Sequence, residues 1–432
     1  MTGPCCLLLC AVTQTPPAAP TTLTLPEAEA TAKARHPQIR SAHAATVAAE
    51  ARLDAARAPL LPQLQAAAGY QRGNASFAAR TGTAAFGAAL PSTGGGSHDY
   101  FSLGLSGSLL VYDFGQAWGR SRAAAEGAAA QQQAEHTTWH GLLLAVRTAY
   151  FDAGAARAMV AVAREALANQ ERHLVQIQGF VEIGTRPAID LAQVRTDRAN
   201  ARLQLITAEN SYATSRAVLN QAMGRDGPVS FEVGDWTFAP VPGEDDELGV
   251  LVARALENRP EFRALTAELR AREALLAAAR GGYFPSLSLG SSITDAGSEL
   301  RALSYAWSAG ATLTWPLFEG GKTRAAAAEA AADLAAASAA IDSLRQQVMV
   351  DVDQARLGVR AAKESRLAAD EAAENARLRL RLAEGRYETG VGNVIELGDA
   401  QLALTNAAAQ QVRADYSLAT TRAQLHKALG YD

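Results

Sequence analysis

Few residues of this sequence could carry out chemistry, and their spacing does not gather them into a site. His136 and His140 stand four apart and could share a helical face. Thr137-Thr138-Trp139 lies between them, however, and the glutamate of an HExxH zinc motif is absent. They read as polar residues on a helix surface. Gly320-Gly321-Lys322-Thr323 has the form of the end of a phosphate-binding loop, but the earlier glycine such a loop requires falls at Pro316. Cys5, Cys6 and Cys10 are confined to the first ten residues, so they supply no nucleophile with an orienting base. The expectation is a protein without catalytic residues, metal or cofactor, whose work is driven by a partner.

The elements around these residues are of an unusual kind. Net charge is −4 with both signs interspersed, so nothing points to nucleic acid. Charged residues make up 19% and the hydrophobic class 48%, much of it alanine, as in Ala325-Ala326-Ala327-Ala328. That composition suits long helices packed through small side chains. Beyond the N-terminus no apolar run is long enough for a spanning helix, which leaves a β-barrel open as a membrane solution. Cys5 to Val12 reads as the apolar core of a secretion signal, followed by a Pro/Thr-rich spacer from Thr13 to Thr24. Leu7-Leu8-Leu9-Cys10 has the form of a degraded lipoprotein box, which makes Cys10 a candidate for lipidation; an ordinary apolar leader is the other reading.

The chain is a duplication. His36-Pro37-Gln38-Ile39-Arg40 returns as Arg259-Pro260-Glu261-Phe262-Arg263, and Leu61-Pro62-Gln63-Leu64 as Phe284-Pro285-Ser286-Leu287, both at an offset of 223. Val111-Tyr112-Asp113-Phe114-Gly115 returns as Leu317-Phe318-Glu319-Gly320-Gly321 at an offset of 206, and so do Gly184 as Gly390 and Gly224 as Gly430. The first copy is therefore 17 residues longer (223 less 206) between Pro62 and Gly115. That excess contains Gly94-Gly95-Gly96-Ser97 and reads as an insertion at a hairpin tip. The divisions are residues 1–24 (signal and spacer), 25–224 (first repeat), 225–246 (linker) and 247–432 (second repeat).

Each repeat reads helix, strand, strand, helix, helix. The first helix, about 26–58 and 246–280, ends at a proline that opens an extended segment. Of the strands, one places Phe101, Leu103, Leu105, Leu109 and Val111 opposite Ser102, Gly104, Ser106 and Ser108. Another places Trp307, Leu313 and Trp315, with Tyr305, opposite Ser308, Gly310, Thr312 and Thr314. Strands of about ten residues, apolar on one face and small and polar on the other, fit a lipid-facing, water-filled barrel. A β-sandwich is the competing reading, but its core wants larger residues on both sheets. Four strands cannot close, and an open edge in hydrocarbon costs several kcal/mol for each unpaired group. Several copies of the chain must therefore complete one barrel.

From about Gln116 to Glu182, and from Lys322 to Glu388, the sequence permits helix without a proline. About 67 residues at 1.5 Å each reach roughly 100 Å. A glycine-bearing turn and a return helix follow each (about 188–223 and 394–429). The return helices carry apolar seams spaced three and four, Leu191, Val194, Ala201, Leu205, Ala208, Tyr212, Leu219 in one, interrupted by Arg198 and Ser215.

Leu110-Val111-Tyr112-Asp113-Phe114-Gly115, Trp315 to Lys322 and Tyr387-Glu388-Thr389-Gly390-Val391-Gly392, set in this duplicated order, resemble the TolC-like outer-membrane efflux proteins over about Leu25 to Tyr431. The resemblance implies a mainly helical fold with a membrane β-barrel: a homotrimer with a twelve-stranded barrel in the outer membrane of a Gram-negative bacterium, continuous with a periplasmic α-helical barrel. It implies a passive export conduit docked through its hairpin tips to a periplasmic adaptor, which links it to an inner-membrane pump. The tips fall at Ile183, Gly184, Thr185 and Arg186 and at Thr389, Gly390, Val391 and Gly392. Pro187 stands opposite Asn393, so the two hairpins are expected to differ in shape. Entrance-closing candidates are Glu182 and Asp190, with Glu384, Arg386, Tyr387 and Glu388. The linker, with Phe231, Trp236 and Phe238, would form part of an equatorial collar. The competitors are a periplasmic coiled-coil adaptor, with one hairpin between β-rich halves, and a structural protein without a pore.

Overall fold

The computed structural model describes residues 21–74 and 97–431. The leader with Cys10 and the Gly94-Gly95-Gly96 stretch lie outside the described residues. Two compact units are present, one built from residues 41–137 and 260–347, the other from 21–40, 138–259 and 348–431.

In chain order the elements are β1 (Thr21–Leu23), α1 (Leu25–Arg35), α2 (Pro37–Arg57), β2 (Gln63–Asn74), β3 (Ser97–Tyr112), α3 (Gln116–Glu182), α4 (Ala188–Ala222), β4 (Phe231–Val233), α5 (Leu248–Asn258), α6 (Pro260–Gly281), β5 (Ser286–Gly297), β6 (Ser304–Thr314), α7 (Lys322–Glu388) and α8 (Val394–Ala428). The duplication is visible in the bounds: α3 and α7 each have 67 residues, α4 and α8 each 35. No helix among the described residues is long and apolar enough to cross a membrane.

The single first helix expected in each repeat is instead two. Pro37 and Pro260 lack the N–H that would continue the ladder and drive the preceding residue out of helical space. His36 (ψ 129°) and Arg259 (ψ 124°) are accordingly extended caps.

The first unit is organised by an antiparallel sheet in the order β2-β3-β5-β6, so the hairpin of one repeat pairs with that of the other through β3 and β5. Its register sorts side chains cleanly. Ala66, Leu105, Ile293 and Trp307 form one row, and Ala68, Leu103, Asp295 and Tyr305 the next. On the other face Gln65, Ser106, Ser292 and Ser308 align, as do Ala67, Gly104, Thr294 and Ala306. One correction concerns Val111, which a bulge removes from the ladder; Tyr112 pairs with Leu287 and continues the apolar face in its place. Below the sheet, Asp113 starts α3. Its Oδ2 accepts from the Ala117 N–H at 2.6 Å and its Oδ1 from the Gly115 N–H at 3.1 Å, which explains an acidic residue two before that glycine.

The second unit holds the larger apolar core, where Tyr150, Phe151, Leu219, Met223, Phe231 and Val233 are buried together. Thr21–Leu23, read as part of an irregular spacer, pairs in parallel with Phe231–Val233 of the linker; three residues are too few to show a strand pattern. Trp236 and Phe238 of the linker pack against the same core. Ser215 does not interrupt the α4 seam but is buried in it, its hydroxyl donating to the Ser211 carbonyl at 2.9 Å. His140, read as a surface residue, is also buried.

Arg259 ties this unit together. Its Nε donates to the Ala428 carbonyl at 2.7 Å and its Nη1 to Asp351 at 3.0 Å, with a side chain almost wholly buried. Arg259→Ala removes both hydrogen bonds at once, at about 2 kcal/mol. We expect a lowered denaturation midpoint in detergent; an unchanged midpoint would show that the contact contributes nothing.

Candidate functional site

The helix-to-helix reversals of the second unit are set by their glycines. Gly184 (φ 76°) and Gly390 (φ 80°) occupy the left-handed region, which an L side chain populates at a cost. In the first turn the Gly184 N–H donates to Val181 and the Thr185 N–H to Phe180, both at 3.0 Å. In the second the Gly390 N–H donates to Tyr387 at 3.1 Å and the Val391 N–H to Arg386 at 3.0 Å. Both are the paired bonds of a Schellman C-terminus, which satisfy carbonyls the helix leaves open. The reversals share the Schellman bonds but differ after them: the Gly392 N–H also donates to the Arg386 carbonyl at 2.8 Å, and the return helices begin differently. Asn393 Oδ1 caps α8 by accepting from the Glu396 N–H at 2.7 Å, whereas Pro187 gives α4 no side-chain cap.

Four residues of the tips project outward. Ile183 is 71% exposed and Val391 74%, and Thr185 and Thr389 are exposed beside them. Ile189 and Ile395, at the start of the return helices, are exposed as well. Ile183 and Ile189 flank the first turn, whereas Val391 and Ile395 both follow the glycine of the second, so each tip exposes two aliphatic side chains.

Arg186 and Gly392 are not free in the same way. Arg186 Nη2 donates to the Gly392 carbonyl at 3.2 Å, and its guanidinium lies 4.7 Å from the centre of the Tyr387 ring. One side chain therefore fastens the first hairpin to the second. Tyr387 is 2% exposed and packs near Phe180, with Ile177, Val194, Leu380 and Leu397 in the same cluster. Burial pushes its phenol up, and Asp190 adds to this while Arg186 opposes it.

Of the other candidates at the entrance, Arg386 pairs with Glu396 on its own hairpin at 3.4 Å. Glu384 lies 3.8 Å from His173 of the other hairpin. Glu182 and Glu388 are exposed on the surface and join neither contact. His173 and the Gln170–Gln401 amide bond at 2.5 Å were missed from the sequence. The signal for His173 was its place one helical turn before the buried Ile177 on the seam of α3.

In the first unit, Leu103, Leu105, Leu313, Trp307 (70% exposed) and Trp315 are exposed, with Phe101 and Leu109 half-buried. Ten residues separate the Leu287–Leu313 row from the Phe101–Gly297 row. That is about 33 Å along a strand at 3.3 Å per residue, or about 25 Å of height at a 40° tilt, the apolar band of a membrane barrel. Aromatic residues mark both ends: Tyr70 with Phe101 (5.1 Å) at one, Phe114 with Phe284 (4.8 Å) at the other. The paired rows of the opposite face carry no Asp, Glu, Lys or Arg among the described residues.

Comparison with known proteins agrees with this geometry. The family model described as "Outer membrane efflux protein" matches residues 30–225 and 251–431, one segment per repeat. The solvent efflux pump outer membrane protein SrpC of Pseudomonas putida is 27% identical over 339 residues, 76% of this chain and 71% of its own. The outer membrane protein TolC of Vibrio cholerae is 24% identical over 407 residues, 92% of this chain and 89% of its own. Among solved structures, CusC superposes with a TM-score of 0.81 at 19% identity, covering 98% of this chain and 96% of that one. VceC of Vibrio cholerae does so at 0.81 and 20%, covering 94% and 96%.

Proposed function

The chain belongs to the outer membrane efflux protein family, and from that premise we propose that three copies form a passive conduit that an inner-membrane pump fills through a periplasmic adaptor. As a family member it is an outer-membrane channel subunit of an efflux system. The observation that carries the reading is the sheet with one exposed face that is apolar but for Asp295 and, at its end, Arg72 and Asp99, and one face of small and uncharged polar residues. Three such sheets supply twelve strands, enough to close a barrel and leave no edge in lipid. The apolar face meets hydrocarbon, and the small polar face lines water. The part requires no covalent step, since cargo passes through without bond change and the pump supplies the energy.

The two tips are the adaptor-docking surface, through Ile183, Thr185, Thr389 and Val391. Two family-model segments, each spanning a whole repeat, support a conduit over a single-hairpin adaptor. The entrance is held closed by the link between hairpins. Arg186→Ala removes the hydrogen bond to Gly392 and the contact with Tyr387 together, so purified trimers in planar bilayers should conduct several-fold more than wild type. Wild-type and variant channels of equal conductance would remove Arg186 from the closing machinery. Failure of either to form channels would count against the conduit itself.

A further inference from the structure

Seven buried side-chain nitrogen and oxygen atoms have no hydrogen-bond partner among the described residues, and four of them fall in one stretch of the hairpins. They are both ring nitrogens of His173, the hydroxyl of Tyr387 and the amide nitrogen of Gln401. α3, α7 and α8 contribute one residue each, so the stretch joins both hairpins. Ile177, Val194, Leu380 and Ala400 form an apolar cluster with Tyr387 in this stretch. A buried polar group without a partner forfeits the hydrogen bonds that water would give it. Water admitted to this stretch would give these atoms the partners that the protein does not.

Only His173 among these groups changes charge near neutral pH. Its side chain is 9% exposed, and Nε2 stands 3.8 Å from Glu384 Oε1, too far for a hydrogen bond. From α7 it faces Glu384 and, farther off, Glu388; from its own helix, Arg172 and the amide of Gln176. On α8 the uncharged Gln401 bonds Gln170, three residues before His173, and on α4 the apolar Val194 packs in the cluster of Ile177.

We propose that His173 is a proton-operated release in the seam between the hairpins: neutral, it stays packed against α7, and charged, it takes up water and loosens the closed tips. The proposal rests on the conduit reading and adds a control to it. Burial pushes the imidazolium down and Arg172 adds to this, while Glu384, Gln176 and Glu388 oppose it; the balance lies below the ordinary histidine value. The packed seam thus binds fewer protons than the hydrated one, whose His173 titrates as an ordinary histidine. As pH falls through that range, protons accumulate on the loosened state and favour it. Each pKa unit by which the two states differ is worth about tenfold in their ratio.

The test is single-channel conductance of purified trimers in planar bilayers between about pH 7.5 and about pH 5.5, the range in which only histidine titrates. Wild type should open several-fold on acidification. His173→Gln, polar but without charge, and His173→Leu, apolar, should both stay flat, with trimer migration on gels showing that both assemble. A wild-type conductance indifferent to pH, or a rise in either variant equal to that of wild type, overturns the release. Arg186→Ala measured alongside separates the two claims. Channels from Arg186→Ala with no acid response in wild type sink the release alone, whereas no channels from any of the proteins sinks the conduit reading.

Discussion

Valine in place of Gly390 should abolish export while leaving trimers assembled. Gly390 is the C′ residue of α7, with φ 80°, and no side chain crowds it, since nothing lies within 4 Å of an added Cβ. The obstacle is therefore in the backbone. A left-handed conformation costs an ordinary L residue about 1–2 kcal/mol, and a β-branched one more. A helix end that lacks its glycine relieves that cost by abandoning the Schellman bonds, which moves Val391 and Gly392 together. Val391 is the exposed aliphatic residue of the tip, and the Gly392 carbonyl is what Arg186 holds. Docking surface and hairpin link are thus lost in one substitution, while the sheet unit, which contains none of these residues, is untouched. Gly184→Val should act the same way on the first tip. Survival of cells on a toxic substrate, read beside trimer migration on gels, makes the comparison. Normal export by both variants would detach docking from these turns.

The second large effect concerns the sheet. Leu105→Arg should reduce trimer recovered from the outer membrane by at least an order of magnitude. Leu105 stands between Ala66 and Ile293 near mid-height of the apolar band, where an arginine facing lipid costs about 2–4 kcal/mol in each of three protomers. Its neighbour Ser106, between Gln65 and Ser292, points the other way. Ser106→Arg should assemble normally and move the channel toward anion selectivity, because it places three positive charges in a bore whose described wall has none. Equal tolerance of both substitutions, or the reverse pattern, would invert the assignment of the two faces.

Much of this was legible in residue order, for reasons that differ by element. Strand faces could be read because a period of two leaves no ambiguity once Leu103, Leu105 and Trp307 alternate with Ser102, Ser106 and Ser308. Helix ends were legible because Gly184 and Gly390 sit where only a left-handed residue closes the turn. The break at Pro37 and Pro260 is also written in the sequence, as a proline inside a helical stretch. What stayed hidden depends on partners distant in sequence. The β1–β4 pairing joins residues about 210 apart through three residues each, and Arg186 meets a carbonyl on Gly392, a group every residue possesses. For His173 the place one turn before Ile177 indicates the seam, but nothing along the chain indicates that Glu384, more than 200 residues away, will stand opposite it.

The two reversals share their Schellman bonds and differ beyond them, with proline before one return helix and a capping asparagine before the other. In an assembly of three protomers that makes six seats in two alternating chemistries. A ring of six identical partner molecules would find three seats of one affinity and three of another, so its loading should proceed in two stages.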